Sequence, residues 1–447
     1  MTQRVVVVGG GISGLAAAHR LRTLRPELDV VLLEQRDRPG GKLATGTLAG
    51  GRVERGAESF LVGGPSAALR LAEEVGLGAE VVHPTTARAA VALDGGLRDL
   101  PAGTLMGIPL QGGETADEPA AVPLLGPGED VSVGALVRPR RGDAVVDRYV
   151  EPLLGGVYAG RADRLSVRMA LPALAAAAEH SHTLTDALRE AVAGSRRAPG
   201  APVFGAIEGG MSRFVGAVAA TLPDVRCGVT VRELHRRGGG WRLTLGSTRD
   251  AEALDADGVV LAVPGRPAER LLGGLAGVEP VELEYASVAL VALALPKEQA
   301  KLPELSGFLV PATEGLAVKA VTFFDQKWAH LRRPGVTVLR ASVGRHGDEE
   351  QLQRTDAGLV EVVRAEVARL IGVDALPEEL DRGVFRWGGA LPQYQPHHQD
   401  RVRTLRAGLA AHPAIAVAGA AYDGVGIPAC VTSGRAAAEA VLAQLGG

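Results

Sequence analysis

The chain has 447 residues, more than one compact core accommodates, so two or three domains are expected. Hydrophobic residues make up 46% and charged residues 22%, and the formal net charge of −3 leaves no overall basic field to attract nucleic acid. Aromatics at 3% leave few stacking platforms for single strands, and two cysteines, Cys227 and Cys430, exclude a disulfide framework.

In chain order, "RVVVVGGGISGLAAAHRL" comes first. Four valines without alternation read as a parallel strand covered on both faces. "ISGLAAAHRL" reads as a helix, and Gly9, Gly11 and Gly14 between them give G-x-G-x-x-G in its required strand–turn–helix setting. Gly9 permits the tight turn, Gly11 lets a pyrophosphate approach the backbone, and Gly14 lets the helix pack closely on the strand. Gly10, Ile12 and Ser13 complete the turn, and the amides opening the helix face the phosphates. "DVVLLEQRD" is the next parallel strand, ending in Glu34 about 20 residues after Gly14, where an acid accepts bonds from a ribose hydroxyl and disfavours a 2′-phosphate.

A Gly-Gly loop, a hairpin, the helix "PSAALRLAEEVGL" and short strands in "RAAVALDGGLRDLP" follow. "MGIPLQGGETADEPAAVPLLGPGED" reads as a loop, and two helical stretches, "GDAVVDRYVEPLLGGVYAG" and "RMALPALAAAAEHSHTLTDALREAV", lead to the linker "GSRRAPGAP". A helix in "EGGMSRFVGAVAATL" and the strands "RCGVTVREL", "GWRLTLGS" and "ADGVVLAVPG" read as a return to the first sheet. Strands over about 280–385, then the helix "TDAGLVEVVRAEVARLIGV", read as an antiparallel sheet lined by helices. The longest apolar run, "ASVALVALALP", is too short to span a bilayer and reads as a buried strand ended by Pro296. The opening valines are too few for a signal peptide, and the expected location is cytoplasmic, with peripheral membrane contact left open. The closing "AIAVAGAAYDGVGIPACVTSGRAAAEAVLAQL" repeats strand, glycine turn and helix.

One phosphate fingerprint fits NAD or FAD. A sheet built from the first and last segments suits a long cofactor running between them, which favours FAD, and the closing helix would aim its N-terminus at the flavin pyrimidine, with "GVGIP" offering backbone donors. The expected fold class is α/β: a discontinuous Rossmann-like FAD-binding domain (1–60, 203–275, 385–447), a mixed-sheet substrate domain (61–104, 276–384) and a helical insertion (105–202). No H-E-x-x-H or Cys/His cluster suggests a metal, and no catalytic dyad is expected. His397 and His398 in "QPHHQD" read as a surface loop, and Cys430 as a buried small hydrophobe rather than a covalent flavin attachment.

The chain resembles the protoporphyrinogen/coproporphyrinogen oxidases of haem biosynthesis, within the flavin amine oxidase superfamily. The resemblance spans nearly all of it, through "VVVVGGGISGLAAA", "LLEQRDRPGGKL", "VERGAESF", "LPAGTLMGIP", "EPLLGGVYAG", "EGGMSRF", "GVTV", "RWGGALPQYQPHH" and "AGAAYDGVGIPACVTSG". "LPAGTLMGIP" and "EPLLGGVYAGRADRLSVRMALP" are the most particular to that family. The resemblance implies that Gln35 joins Glu34 at the ribose, Lys42 lies near the phosphates, and Val229 meets the adenine. It places Gly56, Ala57, Glu58 and Ser59 beside the isoalloxazine, closed by Trp387, Val425, Gly426 and Ile427. It points to Gly156, Val157, Tyr158 and Leu309 as substrate lining. Arg88 is a candidate for a propionate carboxylate, since guanidinium matches carboxylate in a bidentate way, or a solvated surface residue; Leu309 is equally read as core. The implied reaction removes hydride and protons from a porphyrinogen, with oxygen as acceptor. Solubility and "LPAGTLMGIP" favour coproporphyrinogen III; protoporphyrinogen IX, an amine or carotenoid substrate, and a non-catalytic flavoprotein are the alternatives. Transient contact with other haem-pathway enzymes is left open.

Overall fold

A computed structural model describes residues 2–112, 119–194 and 200–446. Its organising element is a five-stranded parallel sheet in the order Asp224–Arg226, Asp29–Leu33, Arg4–Val8, Gly258–Leu261, Ile415–Val417. The valine run sits at its centre. Val5 and Val7 pack under the helices Ile12–Leu24 and Ile427–Leu445, while Val6 and Val8 face a separate core with Trp241, Leu243 and Leu405. Burial on both faces is what an unalternating strand requires. "RCGVTVREL" differs from its reading as a single strand. Asp224–Arg226 joins the parallel sheet, the chain turns at Gly228 (φ +74°), and Val231–Arg237 begins an antiparallel meander with Gly240–Gly246 and Ala251–Ala256 that covers one face.

The second sheet has seven strands, in the order Asp381–Gln393, Glu284–Pro296, Val336–Val343, Val318–Phe323, Gly307–Leu309, Ala89–Leu93, Gly96–Asp99. Only Gly307–Leu309 and Ala89–Leu93 pair in parallel. The helix Asp356–Ile371 covers one face through Leu359, Val360, Val363 and Val367 against Val291, Leu293, Leu339 and Ala341. Two boundaries differ from the sequence reading. Residues 385–393 belong to this sheet, because Asp381–Gln393 pairs with Glu284–Pro296. The helix Ala67–Glu74 packs on the nucleotide core through Ala67, Ala68 and Leu71.

The insertion is helical, with a core of its own built on Val133, Leu136, Leu154, Leu174 and Leu188. Residues 143–158 form one continuous helical segment that contains a π turn at Val146–Val150. The next stretch is not one helix but three: Val167–Ala170, Pro172–Ala178 and Leu184–Ala193. Leu171, before Pro172, leaves the helical region (φ −136°, ψ 61°), and Thr183 starts the last helix by accepting the Asp186 amide at 3.1 Å. Part of the Pro/Gly-rich stretch is pinned, with the Leu124 and Leu125 amides donating to Ser181 and Ala178 carbonyls at 3.0 Å. Residues 113–118 of that loop and 195–199 of the linker lie outside the described residues.

Candidate active site

The glycine turn carries the geometry of a phosphate cradle. Gly9 has φ +107°, and a Cβ there would lie 2.4 Å from the Ala262 carbonyl oxygen. A Cβ on Gly14 would lie 1.9 Å from Gly9 O, so the helix can approach only because that atom is missing. Gly11 is the opposite case: its Cβ would meet nothing within 4 Å, so the space beside it is open. No side chain caps the helix that begins at Ile12, which leaves its first amides, including that of Ser13, available to an anion. The loop at Gly40 closes one side, its amide donating to Gly10 O at 2.7 Å.

Glu34 is buried at the strand end, where Oε2 accepts the Gly10 amide (2.7 Å) and Oε1 the Arg36 amide (2.8 Å). Each carboxylate oxygen keeps acceptor capacity for a ribose hydroxyl. Gln35 is exposed next to it, and the Val229 amide donates to Glu34 O at 2.9 Å, which brings Val229 to the same end. The residues therefore fit an adenine dinucleotide.

The closing helix approaches from the other side. A Cβ on Gly434 would lie 2.1 Å from Ser13 O, so this helix, Ile427–Leu445, lies directly against the opening one. Gly426 precedes it without a side-chain cap, Val425 packs toward the insertion, and Ile427 is buried. Below the turn, Ser433 Oγ accepts the Gly419 amide (2.8 Å) and donates to Asp423 (2.5 Å), which also takes Arg406 (2.6 Å). Cys430 is buried, with Sγ 3.5 Å from Gly424 O.

Lys42, Gly56, Ala57 and Trp387 meet at one place. The Ala57 amide donates to Lys42 O (3.1 Å), and a Cβ on Gly56 would sit 2.0 Å from that oxygen and 3.2 Å from the Trp387 ring. Trp387 Nε1 donates to Arg55 O (2.6 Å), and Arg36 lies 5.4 Å over its ring. The Lys42 side chain reaches the surface, while the protein crowded around it desolvates the ammonium and lowers its pKa.

Glu58 turns into the protein, while Ser59 is half-buried beside it. Its carboxylate takes Lys327 Nζ at 2.5 Å and Arg340 at 2.7 Å. Burial pushes its pKa up, but the two cations outweigh burial and leave it below the usual range. Arg340 also donates to Glu54 O and Gly56 O at 2.8 Å, so it fastens the whole 54–58 segment to the seven-stranded sheet. Sequence reading missed Lys327 and Arg340. The one local signal was a lone arginine interrupting the apolar strand "VTVLRASV".

Gly156, Val157 and Tyr158 end the helix Glu151–Tyr158, and a Cβ on Gly156 would lie 3.3 Å from Leu309 Cδ2. Helix end and strand thus form one wall. Val157 is exposed, while Tyr158 is buried edge-on to Tyr394 with its phenol pushed up to about 12 by burial. Arg88 is not brought to this wall as a free cation: it pairs with Asp99 (3.2 Å), the two side chains being 62% and 69% exposed. The histidines also differ from a surface loop. His397 is exposed with φ +65°, but His398 opens the helix His398–Leu409 fully buried, its Nε2 3.1 Å from Tyr422 O. The preceding left-handed turn aims consecutive side chains in opposite directions.

First and last segments sharing one sheet, with an open cradle at one end and a helix crossing from the other, define a flavoprotein oxidoreductase with FAD as its cofactor. The chain belongs to the flavin containing amine oxidoreductase family, which it matches over residues 12–442. It is 38% identical to a coproporphyrinogen III oxidase of Mycobacterium tuberculosis (strain H37Rv), over 98% of this chain and 97% of that protein. It is 32% identical to a coproporphyrinogen III oxidase of Bacillus subtilis, over 99% and 98%. Among solved structures it resembles the "putative protoporphyrinogen oxidase" of Exiguobacterium sp. 255-15, with TM-score 0.85, 32% identity and coverage of 99% and 100%.

Proposed function

We propose that this protein oxidises coproporphyrinogen III to coproporphyrin III in haem biosynthesis, with oxygen as acceptor. The observation that carries this reading is the end-to-end match to relatives bearing that name, in which neither chain has a large unmatched part. The wall formed by the 156–158 helix end and Leu309 agrees with it. Gly156, Val157 and Leu309 are small or aliphatic, as a broad macrocycle needs. An amine substrate calls for an aromatic cage; here Tyr394 is buried with its hydroxyl bonded to Ala420 O at 2.5 Å, and Tyr158 is buried with its hydroxyl 3.5 Å from Met169 O.

Bound FAD supplies the two-electron oxidation. The protein's part is placement. The glycine turn and Glu34 hold the adenylate end, Arg340 fixes the 54–58 segment, and the 156–158 wall sets the ring's approach. A cytoplasmic location agrees with two free cysteines, and no helix among the described residues is long and apolar enough to cross a membrane.

The test is turnover. The FAD-loaded protein, given coproporphyrinogen III in air, should produce red porphyrin fluorescence and peroxide, with a higher kcat/KM than for protoporphyrinogen IX. Bound flavin that neither porphyrinogen bleaches under anaerobic conditions would overturn the proposal.

A further inference from the structure

The strand Val318–Phe323 is irregular beside the wall formed by Gly156 and Leu309. Val318 pairs with Val343 and Ala320 with Ser342, so Lys319 is the extra residue of a β-bulge, a device that re-aims a side chain. On the strand's other edge the pairing is intact: Leu309 faces Ala320, and Lys319 O accepts the Val310 amide at 2.9 Å. The Lys319 backbone is therefore fixed next to one half of the wall. Its side chain reaches the other half. Lys319 is only 6% exposed, and Nζ donates at 3.2 Å to Gly155 O, in the helix Glu151–Tyr158.

Gly155 O also accepts the Ala159 amide at 2.9 Å, and Ala159 (φ +49°) ends the helix. An ammonium at this place satisfies a carbonyl of the last turn and meets the negative end of the helix dipole. Among the described residues, Lys319 forms no ion pair with a carboxylate. The charged groups around it have partners of their own. Glu151, on the same helix, takes Arg161 at 2.9 Å, and Arg340 holds Glu58 at 2.7 Å. Arg345 donates to the carbonyls of Val310 (2.9 Å) and Leu316 (3.0 Å). Glu366, on the helix behind the sheet, takes the amides of Ala317 (3.0 Å) and Val318 (2.8 Å), and Asp348 is half-buried beyond Arg345, whose carbonyl takes its amide at 2.9 Å.

We propose that Lys319 is a positioning residue for the oxidation: aimed by the bulge, it clamps the helix end Gly156–Tyr158 against the Leu309 strand and so sets the width of the substrate wall. The substrate part of this rests on the porphyrinogen reading above; the clamp does not. Burial, with the guanidiniums of Arg345 and Arg340, lowers the Lys319 pKa to about 7. The bond to Gly155 O is charge-assisted below that pH and weaker above it, where the amine is neutral.

Lys319→Met in the FAD-loaded protein should raise KM for coproporphyrinogen III about 3–10-fold at pH 6, the loss of one such bond, with kcat within about twofold. The ratio of variant to wild-type KM should fall toward 1 at pH 8.5; a ratio of 1 at pH 6, or one that does not change with pH, overturns the proposal. Hydrogen exchange without substrate reads the clamp by itself. Residues 155–160 should exchange several-fold faster in Lys319→Met than in wild type at pH 6, and equal rates overturn the proposal. In wild type alone, protection of that segment, corrected for intrinsic exchange, should fall between pH 6 and 8.5, and constant protection overturns the proposal even if the variant does not fold. Altered exchange in a protein that oxidises no porphyrinogen would uphold the clamp and refute the substrate reading instead.

Discussion

Arg340 reaches from the middle of the seven-stranded sheet to Glu58, 282 positions earlier in the chain, and joins it at 2.7 Å with both side chains about nine-tenths buried. The same guanidinium holds the carbonyls of Glu54 and Gly56. One side chain thus fixes the segment expected to run beside the flavin to the sheet expected to carry the substrate. Arg340→Met should cost roughly 3 kcal/mol of stability, the lower end for a broken buried pair because Lys327 still faces Glu58. Denaturant unfolding measures this, and flavin retained per chain should fall with it.

Gly11 and Gly14 should separate folding from binding. Gly11 has φ −67° and ψ 172°, which alanine adopts freely, and its Cβ would meet no protein atom. Gly11→Ala should therefore keep the wild-type melting curve while weakening FAD at least about tenfold, or 1.4 kcal/mol. Gly14→Ala pushes a methyl to 1.9 Å from Gly9 O and should lose about 1–3 kcal/mol of stability as well as the cofactor. If Gly11→Ala bound FAD normally, the pyrophosphate could not lie there.

Lys42→Met should raise the FAD dissociation constant about 10–100-fold, the loss of one charge-assisted hydrogen bond. The lysine side chain is exposed, and its backbone carbonyl, which orders Gly56 and Ala57, is unchanged by the substitution. Flavin fluorescence titration reads the effect.

His398 should impose an acid limit on stability. Burial lowers its pKa from 6.5 to about 4. The unfolded chain therefore takes up this proton first as the pH falls, so stability drops between about pH 6.5 and pH 4, by roughly 3 kcal/mol in all. His398→Gln keeps a donor for Tyr422 O and should flatten that part of the curve. Equal slopes in the two proteins would refute the assignment.

Arg88→Ala should change little: under about 1 kcal/mol of stability, because its partner Asp99 is as exposed as it is. Its kcat/KM for coproporphyrinogen III should stay within about threefold of wild type. A tenfold loss would restore Arg88 as a carboxylate contact.

Local pattern carried the nucleotide end of this protein. An unalternating valine run, three spaced glycines and an acid ending the next strand are all determined within the first 34 residues, because a phosphate cradle is made of backbone and needs only short-range geometry. The same holds for the buried strand "ASVALVALAL" and for the glycine turn before the closing helix. Tertiary structure decided the rest. The two cations that hold the Glu58 carboxylate lie 269 and 282 residues away in the chain. His398 read as loop until the fold buried it under Tyr422, and Arg88, read as a substrate contact or a solvated surface residue, stands exposed beside Asp99 on the same hairpin. Charged side chains pair across distances in sequence that no local periodicity encodes, and burial, which sets their pKa values and partners, exists only once the sheets have assembled.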